Sequence, residues 1–322
     1  MTPAQVAQRN RLRIVLAFAA VYVLWGSTYL FIKYAIETLP PFFLGFTRFA
    51  ASGGLLYAIA RWRGAAHPTL RELKMAAITG VLMLGFGNGA VMWGEKTIPS
   101  GVVALIVSSV PIWVVVIDWL RPNGRRPRQS VLAGLTVGFI GMVILVGPRA
   151  IVGEGHVDEV AALVLLGGSI AWAMGSVATR GNKPGSPLVF AALQMLAASA
   201  AMGITALIVG DFARFSIANV SARSVFSFAY LVIAGSIVGY TAYVYLLGVV
   251  SATKAATYAY VNPVIAVLLG WAFASEPLGW RTVIAAAVIL GGVALITGTQ
   301  GSAPSTGEHP IPQPGQPERT AA

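Results

Sequence analysis

Seven side chains in this 322-residue sequence have the chemistry to hold a solute: Trp25, Trp172, Tyr240, Tyr243 and Tyr258 offer aromatic faces, and Asn88 and Asn262 offer amides. Aromatic faces give loosely selective apolar contact, and an amide adds a directional hydrogen bond. These residues recur at helical spacing inside otherwise apolar runs. Ser236, Tyr240 and Tyr243 form one stripe, Tyr258 and Asn262 a second, Ser169, Trp172 and Ser176 a third, Asn88 and Met92 a fourth, and Tyr22, Trp25, Gly26 and Tyr29 a fifth. Lipid penalises such groups, so the stripes are expected to face an interior. For any one of them taken singly, packing between helices outweighs ligand contact as the expected role.

Bond-making chemistry has nothing to stand on. The sequence has no cysteine, which removes thiol catalysis, thiolate metal sites and disulfides. His67, His156 and His309 fall in loops or in the tail, and there is no HExxH, GxSxG or Walker loop. No catalytic residue, metal or cofactor is therefore assigned. Gly85-Phe86-Gly87-Asn88-Gly89 follows no strand, so it reads as a close-packing surface and not as a nucleotide loop. No Asp or Glu occupies a mid-span position, which leaves the source of any driving energy open.

Arg48 is the one clear charge away from a span end, at a cost of about 2.5–3.5 kcal/mol on insertion scales. Either it anchors an anionic group such as a carboxylate, or it is a structural fork bonding the carbonyls of a broken neighbouring helix. Its place near the outer end of its span, and Gln194 at the matching place later in the chain, favour the fork.

The elements that position these residues are membrane helices. The chain is 57% hydrophobic and 10% charged, with a mean hydropathy of +0.76. About 20 apolar residues cross a hydrocarbon core roughly 30 Å thick. That pattern predicts ten spans, at 14–32, 42–60, 75–93, 100–119, 131–147, 160–179, 187–209, 225–247, 255–274 and 282–297. The first follows Arg9, Arg11 and Arg13 but is too long for a signal-peptide core and lacks an A-x-A site, so it reads as an uncleaved span. Of the 22 Lys and Arg, fifteen fall on the side of the N-terminus, six on the other side, and Arg48 within the membrane. This asymmetry places both termini in the cytoplasm. The net charge of +11 is thus a topology signal and no nucleic-acid partner is expected. Gly134 and Gly138 mark close packing in span five, within one chain or between copies, so a homo-oligomer stays open.

The chain repeats itself. Pro99 to Pro111 resembles Ser251 to Pro263 at an offset of 152, Trp25 matches Trp172, and Pro41 with Arg48 matches Pro187 with Gln194. Five spans per half is an odd number, so the halves enter the membrane from opposite sides. Such inverted halves can expose one midplane site alternately to each side. Pro111 and Pro263 sit within matched spans, where each removes a backbone hydrogen bond. The freed carbonyls are expected to face a cavity between the halves, with Ser108, Ser109 or Asn262 filling the kinks as the static counterpart.

In order along the chain, Trp25-Gly26-Ser27-Thr28-Tyr29, Pro41 with Arg48, Gly87-Asn88-Gly89, Pro99-Ser100-Gly101 leading to Pro111, Gly168 to Ser176, and Ala256 to Val264 through Glu276 closely resemble EamA-type members of the drug/metabolite transporter superfamily, nearest to the YedA-like inner-membrane exporters. The resemblance covers residues 12–297. It implies an all-α polytopic membrane protein of ten transmembrane helices in two inverted five-helix repeats. The cavity would be lined chiefly by spans one, three, four, six, eight and nine. The implied function is export of small metabolites or drugs, amino acids among them, across the bacterial inner membrane, with a passive facilitator as the alternative. The first span lacks the glutamate of the small multidrug-resistance branch. The expected organisation is a cytoplasmic segment 1–13, repeats at 14–147 and 160–297, an extracytoplasmic linker 148–159, and a disordered cytoplasmic tail 298–322.

Overall fold

The computed structural model describes residues 3–98, 100–122, 124, 126–146, 158–182, 184–274 and 279–298. Most of the expected linker, the tail beyond Gly298, and Glu276 lie outside the described residues. Among the described residues every regular element is helical.

α1 (Pro3–Ala35) and α2 (Pro41–Trp62) are continuous. The third span is composite: α3 (Leu70–Gly80) passes into a π-helical segment, Val81–Asn88, and then into α4 (Gly89–Gly94). α5 (Ser100–Val107) and α6 (Val110–Leu120) form the fourth span, and α7 (Gln129–Val146) the fifth. α8 (Glu159–Arg180), α9 (Pro187–Ile208) and the single turn α10 (Asp211–Arg214) follow. α11 (Ala222–Tyr230) leads into a second π-helical segment, Leu231–Tyr240, and into α12 (Thr241–Val249). The chain then forms α13 (Ala252–Ala255), α14 (Tyr258–Ala274) and α15 (Trp280–Gly298). Eight of the described spans are long and apolar enough to cross a membrane, and Gln129–Leu145 is a shorter apolar helix. α14 adds a further apolar helix of 17 residues.

Helix starts follow from capping chemistry. Thr69 and Glu72 form a reciprocal capping box at α3, Asp158 accepts from the Ala161 N–H at α8, and Ser186 accepts from the Val189 N–H at α9. Asp211 reaches across the molecule, its carboxylate accepting the Phe42 N–H at 2.8 Å and so satisfying a free donor at the start of α2. Gly210 follows the C-cap of α9, and its φ of +75° suits a residue without a Cβ.

Two pairs of helices distant in sequence pack along each other. α2 lies along α9, and α7 lies along α15. In the second pair the backbones meet: a Cβ placed on Gly292 would lie 2.6 Å from the Gly138 nitrogen and 2.7 Å from the Gly134 oxygen. The small-residue surface of span five is thus used within the chain. The π-helical segments pack against helices distant in sequence, Val81–Asn88 on α8 and α9, and Leu231–Tyr240 on α1 and α2.

The proline-bearing spans break, but not at the prolines. Pro111 sits in the first turn of α6 beyond a break at Ser108 and Ser109. There the two hydroxyls donate to the carbonyls of Leu105 and Ile106, each at 2.6 Å. Pro263 lies inside α14, and the second-half break falls upstream at Ala256–Thr257, where the Thr257 hydroxyl donates to the Lys254 carbonyl at 2.7 Å. Short hydroxyl side chains thus bond carbonyls locally at both breaks.

Candidate functional site

Two glycine-bearing π-helical segments shape the centre of the molecule. A Cβ on Gly239 would stand 2.6 Å from Trp25 Nε1, and one on Gly87 would stand 3.1 Å from Trp172 Cε3. Each indole therefore occupies room left by a glycine of the opposite half. Trp25 is held there by its indole N–H, which donates to the Gly235 carbonyl at 3.0 Å. A π-helical segment shifts backbone bonding from i→i+4 to i→i+5 and is frequent at functional sites.

Four rings from α1, α8, α12 and α14 then meet. Trp25 lies 4.8 Å from Tyr258 and 5.6 Å from Trp172, both edge-to-face, and 5.1 Å from Tyr243. Tyr243 and Tyr258 meet edge-to-face at 5.3 Å. Such contacts are worth about 0.5–1.5 kcal/mol each beyond area burial, so the group is a rigid floor. Ser176 bonds the Tyr243 hydroxyl at 2.9 Å and fixes it from α8.

Three of these rings, Trp25, Trp172 and Tyr258, border a cavity of ≈ 70 Å³. Of the residues singled out from sequence, Trp25, Arg48, Asn88, Trp172, Tyr240, Tyr258 and Asn262 line it. Tyr243 does not; it stands behind the wall and supports the other rings. Pro111, Gln194 and Pro263 do not line it either. Besides spans one, three, four, six, eight and nine, span two contributes through Arg48 and Phe49.

The polar lining divides by whether its atoms have partners. The Arg48 Nε–H donates to Ser236 Oγ at 2.9 Å, and Gly235 leaves room for Nη2, since a Cβ there would lie 3.0 Å away. Arg48 Nη1 is buried and has no hydrogen-bond partner, and no carboxylate pairs with the guanidinium among the described residues. Asn88 Oδ1 is likewise buried and unpartnered. A buried donor or acceptor left unmade costs about 1–3 kcal/mol, more when charged, so both atoms call for a counterpart. Asn262 differs: with its amide turned to suit the surrounding carbonyls, its nitrogen donates to Tyr258 O at 3.1 Å and Tyr22 O at 3.2 Å. That ties α14 to α1, so the amide's donors are committed to backbone.

Gln194, the counterpart of Arg48, is fully buried and donates to the hydroxyls of Thr79 at 2.7 Å and Thr179 at 3.1 Å. It joins α9 to α3 and α8 just below the first π-helical segment. Glu95 went unnoticed in the sequence because it follows span three. It lies one helical turn beyond the cavity-lining Val91, and Asn88, Val91 and Glu95 share one face at i, i+3 and i+7. That spacing was the available signal.

The profile of the EamA-like transporter family matches residues 12–147 and again residues 160–298. The chain belongs to this family. A relative that is 36% identical over 292 residues, 90% of this chain and 92% of the relative, is the uncharacterized inner membrane transporter YedA of Escherichia coli strain K12. The uncharacterized transporter YvbV of Bacillus subtilis strain 168 is 26% identical over 84% of this chain and 87% of its own length. A solved crystal structure shares the fold with a TM-score of 0.72 at 21% identity, covering 88% of this chain and 97% of that one. This EamA-like protein is therefore a multi-pass membrane transporter, and the family profile matches it twice along its length.

Proposed function

We propose that this EamA-like protein is a secondary carrier exporting small amphipathic metabolites, amino acids among them, across the inner membrane by alternating access. Its ten spans form two inverted five-helix repeats, with both termini in the cytoplasm. The observation that carries this reading is the pair of unpartnered atoms in one aromatic cavity, the cationic Arg48 Nη1 and the acceptor Asn88 Oδ1. A solute bearing a carboxylate and a hydrogen-bond donor complements both, and the rings receive its apolar part. Lining from both halves and the cross-packed π-helical segments support a site at the repeat interface. At ≈ 70 Å³ the cavity has room for only a few waters, the first of which needs roughly 10–15 Å³, so admitting a solute requires the halves to move.

The test is an untargeted comparison of solutes in the medium of cells making the native protein or the Tyr258→Ala, Trp172→Ala variant at equal abundance. Compounds enriched outside only with the native protein name the substrate class. Equal enrichment with both proteins moves the site elsewhere. In reconstituted vesicles a carrier shows counterflow acceleration by solute on the opposite side, and a passive facilitator does not.

A further inference from the structure

Glu95 follows α4 at the end of the third span, directly beyond the cavity. The residue is only partly buried, yet both carboxylate oxygens are sealed from solvent and neither has a hydrogen-bond partner. An isolated ionised carboxylate is among the costliest groups to enclose, and a site that offers it no donor favours its protonated form. The surroundings fit a site that changes charge. From α1, Tyr29 and Lys33 act on it electrostatically, and Tyr29 lines the cavity. Lys33 is near enough to act through its charge, but no ion pair joins the two. The π-helical segment Val81–Asn88 has no titratable side chain. α8 brings its N-cap Asp158, engaged by the Ala161 N–H, and Glu159 in its first turn, and α2 brings Arg48, bound to Ser236. Lys96 beside it is exposed. Desolvation pushes the Glu95 carboxyl up to about 8, against the lowering effect of Lys33.

We propose that Glu95 is a proton-binding site at the mouth of the cavity, and that its single proton is exchanged for the cationic group of the transported solute. The exchange balances. As the solute's ammonium leaves through the α1 and α4 ends, a proton from that solution takes its place on the carboxylate. When the cavity opens to the other side, the proton passes to that solution and the next ammonium replaces it. One positive charge stands against Glu95 in either state. The coupling half of this proposal rests on the carrier reading, whereas the proton site itself does not.

The test is a pH titration of the lipid-reconstituted protein by infrared difference spectroscopy, following the C=O stretch of protonated carboxyl groups. A band that vanishes with a midpoint near pH 8 is expected, lost in Glu95→Gln and kept in the control Glu37→Gln. Lys33→Gln removes the charge that favours ionisation, so it should move the midpoint to higher pH. A merely structural glutamate would not respond in this way. A carboxyl already ionised at neutral pH, or a band that survives Glu95→Gln, overturns the proposal. With the solute identified from the medium, Glu95→Gln vesicles are expected to lose accumulation driven by a pH gradient, and Glu37→Gln vesicles to keep it, at equal protein abundance. Undiminished gradient-driven accumulation overturns the coupling. An intact band together with absent counterflow in the native protein overturns the carrier reading alone.

Discussion

Arg48→Gln separates the two roles that the guanidinium can hold. Glutamine is what the second half uses at the matching position, where Gln194 is fully buried and bonded to two hydroxyls, so the substitution is compatible with a packed interior. It removes the charge and the unpartnered Nη1 donor while keeping an amide able to reach Ser236. A hydrogen bond to a charged group contributes about 1.5–3 kcal/mol, which at 1.4 kcal/mol per decade is roughly a 10- to 150-fold loss of affinity for an anionic solute. The assay is counterflow into vesicles over a range of solute concentrations, with the protein's abundance measured in the same vesicles. A KM raised within that range with comparable abundance identifies an anion anchor. An unchanged KM with a sharp fall in folded protein would refute the anchor and leave Arg48 as a fork holding the second π-helical segment. Ser236→Ala is the complementary control. It leaves the Arg48 Nε–H without its acceptor and is expected to lower stability by about 1–3 kcal/mol while leaving KM within a few-fold.

Three further outcomes follow from the packing. Gly292→Ala places a methyl group against backbone atoms of Gly134 and Gly138, which must retreat by roughly 1 Å to reach ordinary contact. Heat denaturation should show a loss of about 1–3 kcal/mol, with Gly291→Ala unchanged because nothing lies within 4 Å of its added Cβ. Trp25→Phe leaves the Gly235 carbonyl without its indole donor, an expected cost of about 1–3 kcal/mol in the same measurement. Gln194→Leu removes two hydrogen bonds together with the unpartnered Oε1, so its stability loss should be smaller than that of Thr79→Val combined with Thr179→Val, tested side by side.

Much of this was legible from the spacing of polar groups in apolar runs. Trp25, Trp172, Tyr258 and Asn88 fall on interior stripes because lipid tolerates none of their polar atoms, and the structure brings them to one cavity. The match of Arg48 with Gln194 was readable as two corresponding positions, and both are buried: Gln194 donates to two hydroxyls, whereas Arg48 donates to one and keeps Nη1 without a partner. Periodicity says which face a residue takes, but not whether it stands in a wall or behind it. Tyr243 and Asn262 illustrate the limit: one supports the rings, and the other gives its donors to backbone carbonyls. The π-helical segments were invisible because a change from i→i+4 to i→i+5 bonding leaves the apolar composition of Val81–Asn88 unaltered. Glu95 escaped because hydropathy ends span three before it, whereas the neighbouring helices enclose its carboxylate.

The π-helical segments also bear on how the chain can change length. A π turn accommodates an extra residue inside a helix while the flanking turns keep their positions. Deleting one residue within Leu84–Gly87 should therefore heal the segment toward α-helix with Thr79 and Glu95 still in place. The same deletion in α2, between Gly45 and Arg48, has no slack to absorb it and swings the downstream part of the helix by about 100°. Arg48, Ser52 and Gly53 would then leave the faces they now occupy. Single-residue deletions during descent should thus be admitted in the third and eighth spans and purged from the second and seventh, so that length variation within the membrane marks where these helices can be re-threaded without being taken apart.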